Sequence, residues 1–170
     1  MEAVRRQITS DELEHLYMSI GKGVWHLQYV EDALQTLITM KHEIRSPDRI
    51  KEQEARDILA KHRRNTFGTS LKIVGNHSLV PQPLFDQLNA FKEERDWLIH
   101  RSQNSHGDRL YTDAGRAETF ARLAAFIDEA SILQAALLHD IDTFLAAAGL
   151  DVAAAERVAI KNHGSMRGSA

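Results

Sequence analysis

The chain has 170 residues, 43% of them hydrophobic and 26% charged, which is typical of a soluble globular protein with one sizeable core. Its formal net charge of -3 excludes a global basic field, so a nucleic acid would have to bind a local patch. The chain has no cysteine, which excludes disulfides and thiolate chemistry. It also has no apolar run of about 18 residues and no signal-peptide pattern. These features predict a cytoplasmic protein without a membrane span.

A long first helix is predicted at roughly residues 11–44. Thr9 begins a run of N-capping and acidic residues, and the apolar residues that follow keep the three-and-four spacing of a helix. Gly21 and Gly23 weaken this helix and predict a kink or a close helix crossing. The predicted apolar stripe consists of Leu13, Leu16, Tyr17, Ile20, Val24, Leu27, Val30, Leu34, Leu37 and Ile38.

Two shorter helices follow. Ser46-Pro47-Asp48 supplies an N-cap and a proline at the first helical position, which predicts a mostly charged helix at about 47–64. Residues 66–74 predict a short helix that Gly75-Asn76 closes. The two prolines of residues 80–83 predict an extended linker.

The functional hypothesis depends on the helix predicted over residues 84–102. At about 100° per residue its apolar side chains fall in one narrow stripe, and Arg95 falls in the middle of it. A buried cation must be paired or must extend towards solvent, and Glu31 or Asp32 of the first helix is a candidate partner. The stripe consists of Leu84, Leu88, Phe91 and Leu98.

A second surface is predicted on another side of the same helix. Asp96 and His100 are four residues apart, and Trp97 and His100 are three apart, so the three side chains can touch. This surface would combine an acid, an indole and an imidazole beside Arg95. We expect it to face away from the core.

The C-terminal part begins with a polar loop, predicted over residues 103–113. A last long helix at about 114–148 is capped by Asp113 and terminated by Gly149. Residues 151–170 predict an alanine-rich helix and a disordered tail.

Breaks in the helical pattern are few, and alternation of β-branched residues is nearly absent. The expected fold class is therefore all-α. Residues 1–150 should form one antiparallel bundle of four to five helices, with residues 151–170 as a C-terminal appendage.

The segment from Arg95 to His100 matches the Arg-x(4–6)-His motif of HEPN domains. TFGTSLKIV, a proline-containing linker and LFDQLNAFKEERDWLIHRS also resemble bacterial HEPN-like proteins, in which a Thr-x-Gly segment precedes an RN-W-L-x-H helix end. The similarity spans about residues 10–148, and its recognisable part is 66–102. The resemblance implies an all-helical homodimer in which two copies of the motif meet across a cleft. It further implies a metal-independent RNase of toxin or anti-phage type, with an antitoxin or other regulatory protein as a partner.

The residue types support this chemistry. Cleavage of RNA without a metal needs a base for the 2′-hydroxyl, an acid for the leaving 5′-oxygen and a cation for the phosphorane. His100 can serve as base or acid, and Arg95 can hold the phosphate and stabilise the charge that develops. Asp96 can orient the imidazole. One histidine cannot easily fill both roles, whereas two copies in a dimer could, and the product would be a 2′,3′-cyclic phosphate.

The remaining predicted roles concern substrate and assembly. Arg101, Ser102 and Lys92 are expected to bind the substrate, and Trp97 is expected at the dimer interface. No metal-ligand spacing and no phosphate-cradling glycine loop is present, so no metal and no cofactor is predicted. The basic patch for RNA is expected from Lys92, Arg101, Arg109, Arg63 and Arg64.

Two departures from the family pattern affect these expectations. Asp96 stands where asparagine is frequent, which makes the charge near a phosphate less favourable. In one subfamily a nucleotidyltransferase antitoxin modifies a tyrosine at the position of Ser102, so that form of regulation is not expected here.

Structural interpretations of the same residues stay open. Arg95 can be a cation paired with a buried acid, His100 can be a C-capping cation, and Trp97 can stack on a base instead of joining a dimer. The alternative function is a non-catalytic dimeric helical module that binds a partner protein or a nucleotide. The same spacing also occurs in Arg56/His62, Arg101/His106 and Arg157/His163.

Overall fold

The computed structural model describes residues 5–46 and 50–150, apart from the side chains of Ser105 and His106. This part of the chain is all-α, as predicted, and none of its helices is long and apolar enough to cross a membrane. The predicted C-terminal helix and tail, residues 151–170, lie outside it. The helical elements are α1 (Ser10–Ile38) with a π-helical turn (Thr39–Ile44), α2 (Glu52–His62), α3 (Phe67–His77), α4 (Gln82–Asp96) with a second π-helical turn (Trp97–Arg101), α5 (Ser102–His106), a 3-10 turn (Asp108–Tyr111) and α6 (Asp113–Ala147).

The helices pack as a bundle in which α1 and α6 share the most extensive contact. Helix α4 runs antiparallel to α6, because Glu94 pairs with Arg122 while Phe91, one turn earlier, stacks on Phe126 at 4.8 Å. Helices α1 and α6 instead run parallel. The rings of His15 and Phe120, near the N-termini of the two helices, are in contact, and Lys41 just after the end of α1 pairs with Asp140 near the end of α6. The predicted antiparallel arrangement therefore holds for α4 against α6 but is wrong for the two longest helices.

The core confirms the predicted stripe of α4. Leu84, Leu88, Phe91 and Leu98 are all buried. Each such side chain contributes about 1.5–3 kcal/mol when it is removed from water. The stripe predicted for α1 is correct in its second half but wrong at Tyr17, which is 64% exposed.

Gly23 marks a close helix crossing, which confirms one of the two roles predicted for the glycines of α1. A Cβ atom at Gly23 would lie 3.2 Å from Leu98 Cδ2 and 3.6 Å from Phe126 Cδ1, so α1 approaches both other long helices here. A Cβ atom at Gly21 would meet nothing within 4 Å.

Several boundaries differ from the prediction. Helix α2 begins at Glu52, and Pro47 and Asp48 of its predicted start lie outside the described part. Helix α3 continues through Gly75 and ends at Ser78, which has the left-handed conformation. Gly75 serves as a packing position and not as a helix end, since a Cβ there would lie 2.7 Å from the Phe85 ring. Gln82 and Pro83 belong to α4, since proline fits the first turn of a helix.

The predicted polar loop at residues 103–113 is mostly helical, as α5 and the 3-10 turn. The end of this segment packs on the start of α6, where Gly115 leaves room for the Arg109 carbonyl. The cap of α6 is the Thr112 hydroxyl, which accepts from the Gly115 amide, and not Asp113 as predicted. Contacts with the first two turns of α6, six to nine residues further along the chain, hold this segment: Arg116 donates to the Leu110 carbonyl, and Arg109 pairs with Glu118.

A charge network ties the N-terminal residues to α6. The Arg6 guanidinium donates to Glu12 at 2.6 Å and to Asp113. The buried Arg116 guanidinium lies 3.1 Å from the same Glu12 carboxylate and also pairs with Asp113. The hydrogen bond from Arg6 is the main reason that the pKa of Glu12 lies well below its usual value.

Candidate active site

The π-helical turn at Trp97–Arg101 determines the geometry of the candidate site. In a regular α-helix, residues five apart point about 140° away from each other. A π-helical turn has hydrogen bonds between residues five apart and so brings such residues onto one side. As a result, Arg95 Nη1 lies 3.3 Å from His100 Nε2.

This contact selects one form of the imidazole. A guanidinium can only donate hydrogen bonds, so Nε2 of His100 must accept and the ring proton must reside on Nδ1. His100 is exposed to solvent, and 22% of the Arg95 side chain is exposed. A neutral imidazole with an accepting nitrogen at a solvent-accessible position is the form that can act as a base.

Two carboxylates hold Arg95 in place. Its Nη1 lies 3.1 Å from Asp96 Oδ1, and its Nη2 lies 3.8 Å from Glu31 Oε1. Burial raises the pKa of Glu31, and the charge of Arg95 opposes this shift. Pairing of Arg95 with an acid of the first helix is thereby confirmed for Glu31, whereas Asp32 pairs with Arg63 at 2.6 Å.

Asp96 does not orient His100 as predicted. Its carboxylate accepts from Lys92 Nζ at 2.8 Å and from Arg95 at 3.1 Å. The hydrogen bond from Lys92, assisted by Arg95, lowers the pKa of Asp96 against the effect of burial. The reason is the π-helical turn, which places Arg95 and not Asp96 beside the imidazole. Asp96 therefore binds the two cations Lys92 and Arg95 and not the imidazole.

Trp97 lies in the core, with 3% of its surface exposed, so the prediction that it faces away from the core at a dimer interface is wrong. The Arg122 guanidinium lies 4.0 Å from the centroid of its ring, and Glu94 holds that guanidinium through two hydrogen bonds of 2.8 and 2.9 Å. Leu16 and Ile20 of α1 line a cavity against the same indole. The reason is that α1 and α6 both pack against this end of the helix, so a wider part of its surface is buried than the single narrow stripe that was predicted.

The three residues that were predicted to bind the substrate, Lys92, Arg101 and Ser102, differ in how close they lie to the Arg95–His100 pair. Lys92 is joined to the Arg95–His100 pair through Asp96. Arg101 stays half exposed, and its Nη2 lies 3.6 Å from a carboxylate oxygen of Glu93. Ser102 donates its hydroxyl to the Leu98 carbonyl at 2.8 Å and lines the apolar cavity beside Trp97. The structure therefore brings Lys92 to the site but directs Ser102 into the bundle.

Comparison of the chain with protein-family models, with curated proteins and with solved structures finds no match. The resemblance to HEPN domains thus rests on the segments quoted above. The activity and the dimer that it implies stay predictions.

Arg56 and His62, the pair on α2 with the same spacing, bind separate partners and are not in contact with each other. Arg56 pairs with Glu52 at 2.5 Å, whereas His62 is buried and lies 3.0 Å from Glu43. The other two pairs involve His106 and His163, whose side chains lie outside the described part. Among the described pairs with this spacing, only Arg95 and His100 are in contact.

Proposed function

We propose that the chain is a metal-independent endoribonuclease of toxin or phage-defence type that acts as a homodimer with a composite Arg/His site. The observation that supports this proposal best is the 3.3 Å contact between Arg95 Nη1 and His100 Nε2 at the exposed end of α4. In this contact an imidazole nitrogen that can accept a proton lies beside a guanidinium, a group that can bind a phosphate, and carboxylates on two helices orient the guanidinium.

The proposed reaction uses the two side chains in sequence. A substrate phosphate enters between them and takes over the hydrogen bond of Arg95, which frees Nε2 of His100. This nitrogen removes the proton of the 2′-hydroxyl, and the 2′-oxygen attacks the adjacent phosphorus. Arg95 stabilises the charge on the non-bridging oxygens of the phosphorane. The bond to the 5′-oxygen breaks, and this oxygen takes a proton from the protonated His100 of a second protomer, which leaves a 2′,3′-cyclic phosphate and a 5′-hydroxyl.

The surface around His100 is compatible with a second protomer. His100 and its neighbour Ile99 are both exposed, and Ile99 is 41% accessible. A two-fold axis beside these residues would bury an apolar side chain of each copy and place the two imidazoles on opposite sides of one phosphate.

The test is RNA cleavage in the presence of EDTA. We expect wild-type protein to cleave and Arg95→Ala and His100→Ala each to lose about 100-fold or more in rate, since each removes a catalytic group. Arg56→Ala and His139→Ala are matched controls at exposed positions away from the pair and should cleave like wild type. Cleavage by His100→Ala at the wild-type rate would contradict the proposal.

One observation favours the alternative function, a non-catalytic dimeric module that binds a protein or a nucleotide. Met18, Trp25 and Tyr29 follow one face of α1 at seven- and four-residue spacing and are 66%, 60% and 42% exposed. Exposed aromatic and methionine side chains in a row are typical of protein-binding surfaces. Wild-type protein that leaves RNA intact in EDTA would favour this alternative.

A further inference from the structure

A groove of about 430 Å³ lies between α3 and α4 and reaches Lys92. Its volume falls within the range of about 300–1,000 Å³ that is usual for ligand sites. The floor is apolar and includes Leu71 and Phe85. The polar lining consists of Thr66, Thr69, Lys72, Asn89 and Lys92.

Positive charge is concentrated in the segment that contributes α3. Residues 58–85 contain no Asp and no Glu but include two lysines and two arginines, which gives this segment a charge of +4 in a chain of net charge -3. Arg63 is paired with Asp32. Lys72 is exposed and makes no ion pair with any carboxylate of the described residues. The groove therefore has a free cation on one wall.

Lys92 connects the groove to the Arg95–His100 pair. It lines the groove, and its Nζ is 2.8 Å from Asp96, which also binds Arg95. Lys92 and Arg95 are three residues apart, so they are separated by about 4.5 Å along the helix axis. A chain of phosphates can pass from one cation to the next.

The floor of the groove depends on Gly75. A Cβ atom at this position would lie 2.7 Å from the Phe85 ring, so a larger residue in α3 would displace the ring. The Phe85 ring of α4 is therefore packed against α3 at Gly75.

We propose that this groove binds the nucleotide of a single-stranded RNA that flanks the scissile phosphate; this inference rests on the proposed nuclease function. An aromatic surface for a base beside cations for the backbone is the usual arrangement in proteins that bind single strands. Phe85 and Leu71 contact the base, and Lys72 and Lys92 bind the phosphates.

Binding can be measured apart from cleavage. A fluorescein-labelled single-stranded 2′-O-methyl RNA has no free 2′-hydroxyl, so it cannot be cleaved by this route, and fluorescence anisotropy in EDTA reports its affinity. We expect Lys72→Glu to weaken binding by about tenfold or more at low salt, and Lys72→Ala to reduce the slope of log affinity against log salt by about 0.7. Lys22→Glu and Lys22→Ala, at an exposed position of α1, should bind like wild type.

The possible outcomes distinguish the proposed role of the groove from the proposed nuclease function. Binding that depends on Lys72, without cleavage of unmodified RNA by wild type, supports the groove as a binding site for single-stranded RNA but contradicts the nuclease and the scissile phosphate beside the groove. If wild type cleaves RNA, and Lys72→Glu binds and cleaves RNA like Lys22→Glu, the proposed role of the groove is wrong and the proposed nuclease function is unaffected. Wild-type protein that neither binds nor cleaves RNA overturns both.

Discussion

Replacing Trp97 with alanine tests whether this side chain holds the bundle together or joins two protomers. The indole is 3% exposed and fills space between α4, α1 and α6. Removal of a buried tryptophan side chain costs about 3–5 kcal/mol through lost transfer energy and the cavity left behind. A domain of this size is stable by about 5–15 kcal/mol, so Trp97→Ala should lose a large part of its free energy of unfolding.

Urea unfolding followed by far-UV circular dichroism measures this loss. Trp25 provides the matched control, because the same substitution there removes a side chain that is 60% exposed. We expect Trp25→Ala to change the free energy of unfolding by about 0.5 kcal/mol or less. The difference between the two variants isolates the effect of burial.

The contact with Arg122 can be measured separately. A cation over an indole contributes about 0.5–1 kcal/mol at exposed sites, and the Arg122 side chain is 34% exposed. Because the pair is largely buried, a double-mutant cycle of Trp97→Ala and Arg122→Ala should give a coupling energy of about 1–2 kcal/mol, above the range for exposed pairs. A Trp97→Ala variant that lost less than about 1 kcal/mol of stability, and that was a monomer in light scattering where wild type was a dimer, would refute the core role of this indole.

Three further predictions follow from single contacts. Gly21→Ala should raise the free energy of unfolding by about 0.5–1 kcal/mol in urea titrations, whereas Gly23→Ala should not, because its Cβ meets two side chains. Glu12→Gln should destabilise the protein at neutral pH by removing a partner of the buried Arg116. Since the folded pKa of Glu12 is lowered, this stabilisation exists above the usual value near 4.5 and is lost as pH falls, so the melting temperatures of variant and wild type should converge in acid. Asp96→Asn should tighten binding of 2′-O-methyl RNA in anisotropy titrations, because it removes the anion that neutralises two cations; unchanged affinity would argue against a phosphate path there.

Regular periodicity made the helices and the core stripe of α4 predictable. Leu84, Leu88 and Phe91 lie within one unbroken helix, so a constant angle per residue places them correctly. The same constant angle fails after Asp96, where the π-helical turn begins. It placed Asp96 against His100, whereas the structure places Arg95 there.

Packing between distant segments could not be predicted from local patterns. The sequence around Trp97 does not show that both α1 and α6 cover it, nor that α1 and α6 run parallel. Glu31 is predictable as a candidate partner because an arginine in an apolar stripe requires an acid. Lys72 is not among the residues predicted to bind substrate, although the absence of acids from residues 58–85 is a visible signal for a basic segment.

We propose that Arg95 and His100 act together on one RNA phosphate. Mass spectrometry of the RNA ends that form in EDTA provides the decisive test. We predict fragments with 2′,3′-cyclic phosphate and 5′-hydroxyl ends from wild-type protein, and intact RNA with His100→Ala or when the substrate carries 2′-deoxyribose at the cleaved position. Fragments that end in 3′-hydroxyl and 5′-phosphate, or cyclic phosphate ends that persist with His100→Ala, would contradict it.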